Sequence, residues 1–322
     1  MRYKNIFGIL FLITTISSCK CNQTPVNNDN KVYTYSFENV SAFIADSAKA
    51  MVGNYLGIKD VHDLTVDKEE NTAYFVSDSD VNTTFEQNLT NGNFEFSKLT
   101  QSYLSDSSPK LPSKEEAAKI AENFMKSKNI YVRDMNQIRL VHTGGVRSQA
   151  VEGGQRAGAI IDKLVTLTYG RTLDNMPVVG SGSKIIVNIG NNGEVVGMTR
   201  RWREVNTGEK KEAVTQELLT EAEALEQAKQ HIISEFGNVP YDIKSTTKAY
   251  YDGNGKFLQP VYTFDVMVNL NRVDKNVSAA RYLCIIPMLK NAPEPIQNNV
   301  MDPKAKEMLK TARSNDSTRL LR

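Results

Sequence analysis

The sequence has few of the residues from which catalytic and metal sites are usually built. Its 322 residues include three cysteines, three histidines and one tryptophan. Three cysteines cannot form a disulfide framework in a chain of this length, and His62, His142 and His231 stand too far apart to form a local metal motif. We therefore expect no metal centre, no cofactor and no enzymatic activity.

The chain also lacks the long apolar runs of a multispanning membrane protein. The run from Ile6 to Ile16 is about eleven residues long, whereas a spanning helix needs about twenty. Hydrophobic residues make up 40% of the chain and charged residues 24%, which is typical of a globular protein with a buried core. The length predicts two domains or three small ones.

The N-terminus has the pattern of a signal for export. Arg2 and Lys4 precede the apolar run, as in the first part of a signal peptide. The run ends in Ile16-Ser17-Ser18-Cys19, which resembles the lipobox of bacterial lipoproteins. The resemblance implies that Cys19 carries palmitate and other acyl chains, which anchor the protein to a membrane on the periplasmic or surface side of the cell envelope. The alternative is an ordinary signal peptide or an N-terminal membrane anchor with a chance cysteine.

The segment after Cys19 predicts a tether. Cleavage before Cys19 would leave 37 basic and 37 acidic side chains, and a balanced chain has no net field that attracts DNA or RNA, so we expect no nucleic-acid partner. Residues 19–31 are polar and rich in asparagine, as flexible linkers are. An oxidising envelope would allow Cys21 to pair with Cys284. Because Cys284 stands in an apolar run, where a buried free thiol is commoner, we expect no disulfide.

Two helices of similar pattern are predicted in the body. Ser113 and Glu116 form a capping box before apolar residues that recur every three and four positions. Thr220 and Glu223 repeat this start, and Gly237 predicts the end of the second helix.

After each helix the apolar residues alternate, which predicts strands. The clearest alternating runs are Lys163–Tyr169, Lys184–Ile189 and Val261–Val268. Asn192-Gly193 and Asp252–Gly255 predict hairpin turns between strands. The predicted fold class is therefore α+β, with tandem units of a helix packed on an antiparallel sheet.

Two short stretches predict boundaries between segments. Residues 105–112 are polar and contain prolines, and residues 206–211 are polar. A helix near 41–55 and a strand at 72–76 suggest that the first segment is a third, degenerate unit. The predicted order is a signal peptide (1–18), the lipidated cysteine and tether (19–31), an N-terminal α+β segment (32–108), two helix-on-sheet units (109–206 and 212–290) and a polar tail (291–322) with a short basic helix near 304–310.

One run in the first unit carries a family resemblance. Met176–Gly180, the strand Ile185–Asn188 and the Asn192-Gly193 hairpin follow one another after the helix. This order resembles the propeptide of thermolysin-type metallopeptidases and the related PepSY domains. The resemblance covers residues 113–205, with a weaker echo over 220–287, and implies a cystatin-like fold that chaperones or inhibits a peptidase. The chain ends without a His-Glu-x-x-His motif, so we expect a free-standing binding or inhibitory role.

The candidate binding residues are Arg200, Arg201, Trp202 and Arg203, at the end of a predicted strand. Alternation places Arg201 and Arg203 on one face, and arginine and tryptophan are the residue types enriched at interface hot spots. The competing expectation is that Trp202 packs beneath the helix of its own unit while the arginines pair with carboxylates.

Two glycine-rich segments invite other interpretations. The segment 144–158 predicts a polar loop that interrupts a hairpin, serving as a contact loop with Arg147 and Arg156 or as a plain insertion. Gly180–Lys184 looks like a phosphate loop, but it leads into a strand, whereas phosphate binding needs a helix N-terminus. We therefore reject a phosphate site.

These features predict a lipid-anchored envelope protein that catalyses nothing and binds a protein or peptide through an exposed strand edge. Inhibition of a peptidase is the leading specific version. The alternatives are a structural or assembly lipoprotein of an envelope complex and a hydrolase with an unrecognised site. The expected partners are the lipid bilayer, reached through the acyl chains, and an envelope protein or peptide.

Overall fold

The structure is a computed structural model. It describes residues 31–38, 45–58, 61, 64–98, 103, 108–130, 132–149, 159–270 and 279–298. The predicted signal peptide, Cys19, Cys21 and the basic helix near 304–310 lie outside the described residues. None of the helices in the described part of the chain is long and apolar enough to cross a membrane.

Among the described residues of the N-terminal segment, a helix is followed by four short strands. These are α1 (Ala45–Leu56), β2 (Thr65–Asp67), β3 (Thr72–Val76), β4 (Thr83–Asn88) and β5 (Phe94–Lys98). Helix α1 contacts β3, β4 and β5. The ring of Tyr55 stacks on Phe94 and Phe96, with centroids 5.1 and 5.8 Å away. The aromatic positions of this segment thus join the helix to the sheet.

The middle segment begins with the first predicted capping box. The elements are α2 (Lys114–Ser127), β6 (Ile138–Gln149), β7 (Ile160–Leu173), β8 (Met176–Gly180), β9 (Lys184–Ile189) and β10 (Val195–Arg201). Ser113 Oγ accepts the Glu116 N–H, and the Glu116 carboxylate accepts the Ser113 N–H, which confirms the predicted start of the helix. The Asn192-Gly193 turn is also confirmed. Both residues have positive φ, as a tight hairpin requires.

The third segment repeats this pattern. It consists of α3 (Glu221–Phe236), β12 (Tyr241–Asp252), β13 (Phe257–Val268) and β14 (Ala280–Pro287). Thr220 and Glu223 form the second predicted capping box, and Gly237 ends the helix with a φ of 65°. Helix α3 contacts β13 and β14, so it covers its own strands as α1 and α2 do.

The strands of the described residues join in one sheet. Its order is β11-β1-β13-β12-β8-β7-β9-β10-β5-β4-β3-β2, with β14 beside β13 and β6 beside β7. Strands β1 (Tyr33–Ser36) and β11 (Lys211–Glu212) complete it. The pairings are antiparallel apart from the parallel pair of β8 and β12. The fold is therefore α+β with a dominant antiparallel sheet.

Strand pairs connect the predicted segments to one another. Strand β5 pairs with β10, β8 pairs with β12, and β1 pairs with β13. The residues beneath α1 and α2 form one hydrophobic core, and those beneath α3 form a second one. The predicted segment boundaries stay predictions, but the sheet runs across both of them.

Strand β6 corrects the first part, 144–149, of the loop predicted at 144–158, and residues 150–158 lie outside the described residues. Gly144, Gly145 and Arg147 lie within β6, where they pair with β7. A Cβ atom on Gly145 would collide with the carbonyl oxygen of Leu164, so this glycine permits the two strands to approach closely. Arg156 lies outside the described residues.

Candidate functional site

The predicted binding group at Arg200–Arg203 is mostly buried. Trp202 is 1% exposed and belongs to the core beneath α1 and α2. The guanidinium of Arg171 lies 4.1 Å from the centroid of the Trp202 ring. Trp202 therefore offers no surface to a partner. The structure corrects the predicted binding role of Trp202, because its large apolar ring is packed in the core.

The three arginines of this group have different environments. Arg200 Nη1 donates to the Trp202 carbonyl oxygen at 2.8 Å, and burial lowers the pKa of Arg200. Arg203 lies over the ring of Phe37, with its guanidinium carbon 3.6 Å from the centroid. Arg201 alone is exposed, and it lines a shallow pocket of about 270 Å³. The structure therefore does not bring the four residues together as one surface, and Arg201 stays a predicted contact residue.

A buried polar network holds this region together. Arg203 Nη2 donates to Asp252 Oδ1 at 3.0 Å, and Ser183 Oγ donates to Asp252 Oδ2 at 2.7 Å. Arg171 Nη1 donates to Ser183 at 3.1 Å, and burial lowers the pKa of Arg171 to about 10. The network joins the middle segment to the hairpin between β12 and β13. A buried ion pair with satisfied hydrogen bonds fixes one arrangement of its neighbours.

The segment that looked like a phosphate loop belongs to this network. Gly182 donates its N–H to the Asp252 carbonyl oxygen at 2.9 Å. A side chain on Gly182 would collide with the Asp252 carboxylate. Gly182 therefore makes room for the carboxylate of Asp252, and Gly180 makes room for its backbone carbonyl.

A second cluster joins three separate strands and turns. The carboxylate of Asp174 accepts hydrogen bonds from Tyr35 at 2.5 Å and from Tyr250 at 2.7 Å. Burial first, and then the bond to Asp174, raises the pKa of both tyrosines. The cluster has a structural role, because it connects β1 and β12 to the turn between β7 and β8.

The described histidines and the described cysteine have separate environments. His231 Nε2 lies 2.8 Å from the Tyr282 hydroxyl. Cys284 is a buried free thiol whose pKa is raised to about 12 by burial. His142 lies exposed on β6, and His62 lies outside the described residues. Among the described residues, no group of three or more His, Cys, Asp or Glu side chains is placed to hold a metal ion.

Strand β6 is a long and largely exposed strand of the sheet. It runs for twelve residues, and β7 is its one strand neighbour in the described part of the chain. Helix α2 packs on β7, β9 and β10. Large apolar side chains of the β6–β7 hairpin are exposed to solvent, namely Leu140, Val141, Val146 and Ile160. An unpaired strand edge with exposed apolar side chains is a template for another strand.

Two irregularities divide the edge of β6. The register with β7 shifts between Leu140 and His142 and again between Val146 and Arg147. The stretch His142–Val146 between the shifts pairs regularly with β7. Because bulges twist an edge and interrupt its ladder, this short stretch is the part of the edge best suited to regular pairing.

A groove lies beside this stretch. Its volume is about 530 Å³, and one wall is formed by residues 111–114 at the start of α2. The other wall includes Thr143, Gly144, Gly145 and Arg147 of β6. Because two of these residues lack side chains, the groove is open to a chain that lies along β6. The sequence singled out Gly144, Gly145 and Arg147 as part of a possible contact loop, whereas the structure places them on a strand.

No family model matches the chain, and no curated protein matches it. Two solved structures show low similarity. An uncharacterised protein from Eubacterium rectale is 10% identical, with a TM-score of 0.43, over 83% of this chain and 86% of that one. The YpeB C-terminal domain of Bacillus megaterium is 13% identical, with a TM-score of 0.34, over 82% of this chain and 100% of that one. Both scores are too low to carry an argument about family or function.

Proposed function

We propose that this protein is a lipid-anchored, non-catalytic module of the bacterial cell envelope that binds an extended segment of another protein. The segment adds as a strand to the edge of β6 that has no strand partner among the described residues. The observation that carries the proposal is the exposure of this twelve-residue edge, with His142–Val146 in regular register between two bulges. Strand addition takes its affinity from backbone hydrogen bonds and its selectivity from pockets for alternate side chains.

The exposed side chains of the hairpin support this proposal. Val141 is 61% exposed and Val146 is 50% exposed, and both lie on an edge strand. Natural proteins usually protect a sheet edge by shortening it, charging it or covering it. Strand β2, at the other end of this sheet, is only three residues long. The length of β6 and its exposed apolar side chains therefore contrast with the short edge strand β2.

We further propose that the helix-on-sheet segments are tandem PepSY-like units with a cystatin-like fold. Each described helix precedes the strands on which it packs, and the two capping boxes have the same geometry. The peptidase propeptides that the middle segment resembles make a peptidase the first class of partner to assay. Lipidation of Cys19 and location in the envelope belong to the same proposal, and they rest on the sequence alone.

The test selects peptides and then maps how they bind. Random decapeptides displayed on phage are selected on the full chain in nonionic detergent. Each selected peptide is then made in two forms, N-methylated at odd or at even positions. We expect one form to lose binding and the other to keep it, because an added strand directs alternate N–H groups toward its neighbour.

Hydrogen exchange locates the bound peptide. We expect the bound peptide to slow exchange of β6 amides within His142–Val146, while the amides of β2 exchange as before. Equal loss of binding with both methylation patterns, or protection confined to residues far from β6, would contradict strand addition. Failure to select any peptide would contradict the binding function itself.

A further inference from the structure

The charged side chains that belong to β6, Arg139 and Arg147, are both basic, and the strand has no acidic residue. The chain as a whole has nearly equal numbers of acidic and basic side chains. The strand edge thus differs in charge from the average of the protein.

The pairing with β7 shows which residues face the start of α2. Thr143 lies opposite Leu167, and Gly145 lies opposite Val165. Both partners belong to the core beneath α2, so alternation places Thr143, Gly145 and Arg147 on the helix side of the sheet. This agrees with the groove, which these residues line together with the first turn of α2.

Two basic side chains line the groove from opposite walls. Lys114 belongs to the first turn of α2, and Arg147 belongs to β6. Asp162 is the one acidic residue among the described residues that line the groove, and it lies 2.6 Å from Arg147. Lys114 makes no ion pair within the described part of the chain, and the Glu116 carboxylate is engaged in the capping box. Glu115, the other acidic residue in the first turn of α2, is not among the described residues that line the groove.

We propose that the segment which adds to β6 is acidic, with Asp or Glu at alternate positions on the side that faces the groove. This inference rests on the proposed function and names the chemistry of its partner. Carboxylates at alternate positions of an added strand would lie on one face, within reach of Lys114 and Arg147. Opposite charges on neighbouring strands stabilise the pairing and speed the encounter.

The experiment compares three peptides that differ only in charge. Each is a labelled decapeptide with Val and Thr at one set of alternate positions and Glu, Gln or Lys at the other. Their affinities for the full chain in nonionic detergent are measured by fluorescence anisotropy at low and high salt. We expect the Glu peptide to bind about tenfold more tightly than the Gln peptide at low salt, with the Lys peptide weakest. High salt should reduce the difference, because the charges are exposed.

Charge reversal identifies the residues that select the peptide. The double variant Lys114→Glu, Arg147→Glu should favour the Lys peptide over the Glu peptide. Lys248→Glu is the matched control, because Lys248 is an exposed basic residue on β12, and it should keep the original order. Far-ultraviolet circular dichroism and the unfolding midpoint show whether each variant is folded.

The outcomes separate the two proposals. Equal binding of the three peptides would overturn the acidic partner and leave strand addition standing. Binding of none of them, together with failure of the phage selection, would overturn the binding function as well. An unchanged order in the folded double variant would show that other charges select the peptide, and this would overturn the assignment to Lys114 and Arg147. If the double variant does not fold, the salt dependence of peptide binding to the natural chain decides whether the partner segment is acidic.

Discussion

Arg203 and Asp252 form an ion pair of 3.0 Å with side chains that are only 10% and 1% exposed. The pair connects the segment just after β10 with the last residue of β12, and Ser183 donates a further hydrogen bond to the carboxylate. Because both charges are removed from water, the pair depends on these neighbours for its stability. This relationship shows that the middle and third segments are joined by buried charge as well as by strand pairing.

Loss of the Asp252 charge should strongly destabilise the protein. Asp252→Asn leaves the guanidinium of Arg203 buried without its counter-charge, and we expect the free energy of unfolding to fall by about 3–5 kcal/mol. Urea denaturation measures the change. The control is Glu226→Gln, which removes the exposed ion pair with Lys229 and should leave the free energy of unfolding almost unchanged. Equal effects of the two substitutions would contradict the buried network.

Trp202 and Arg201 should respond differently to substitution. Trp202→Ala removes a buried ring from the core, and we expect a loss of about 3–5 kcal/mol in the free energy of unfolding. Arg201→Ala changes an exposed side chain and should alter it by less than about 0.5 kcal/mol. Trp202 is the single tryptophan of the chain, so its emission reports directly on this site. Strong acrylamide quenching in the folded protein would contradict the burial.

The buried thiol of Cys284 should make stability depend on pH. Burial raises its pKa from an ordinary value of 9.0 to about 12 in the folded protein. The folded state therefore keeps a proton that the unfolded state loses, and the stabilising contribution is complete below pH 9 and disappears as the pH rises toward 12. We expect Cys284 to account for about 1.4 kcal/mol of lost stability per pH unit above pH 9.

Chemical denaturation of the natural chain and of Cys284→Ala at pH 8 to 10 measures this dependence. The variant should show a shallower fall in stability over this range. The measurement stops at pH 10, because burial also raises the pKa of Tyr35 and Tyr250, which add their own dependence at higher pH. Parallel curves for the two proteins would show that the thiol does not titrate as described.

Lipidation of Cys19 should be visible by metabolic labelling. Cells that express the natural chain should incorporate radiolabelled palmitate into it, and cells that express Cys19→Ala should not. Cys21→Ala is the control, because Cys21 is a cysteine two residues away that lies outside the lipobox, and it should leave labelling unchanged. Equal labelling of the Cys19→Ala variant would remove the basis for the membrane anchor.

The local elements of the fold could be predicted because their signals lie within a few residues. Ser113 and Glu116 satisfy each other across one helical turn, and Asn192-Gly193 supplies the positive φ angles of a tight turn. The strand at 72–76 was predicted with the bounds that the structure gives. In each case a short stretch of sequence contains all the groups that determine the geometry.

The candidate surface could not be predicted in the same way. Gly144 and Gly145 favour a loop in isolation, and only the approach of Leu164 explains a glycine within β6. Likewise, the alternation of residues along a strand cannot show whether Trp202 is buried, because Arg171 of another strand packs over its ring. The contacts of Asp252 with Ser183 and Arg203 join residues far apart in sequence. Burial and edge position depend on the complete sheet.

The pairing of β1 with β13 has a consequence for the order in which the protein is built. Tyr35 lies opposite Leu258, so β1 completes its pairing only after most of the polypeptide has emerged, although Tyr33 and Thr34 can pair with β11 earlier. Such distant pairing slows folding, since a long loop must close first. We therefore expect a nascent chain truncated before β13 to leave β1 sensitive to proteases, and the native topology to be reached only late in synthesis.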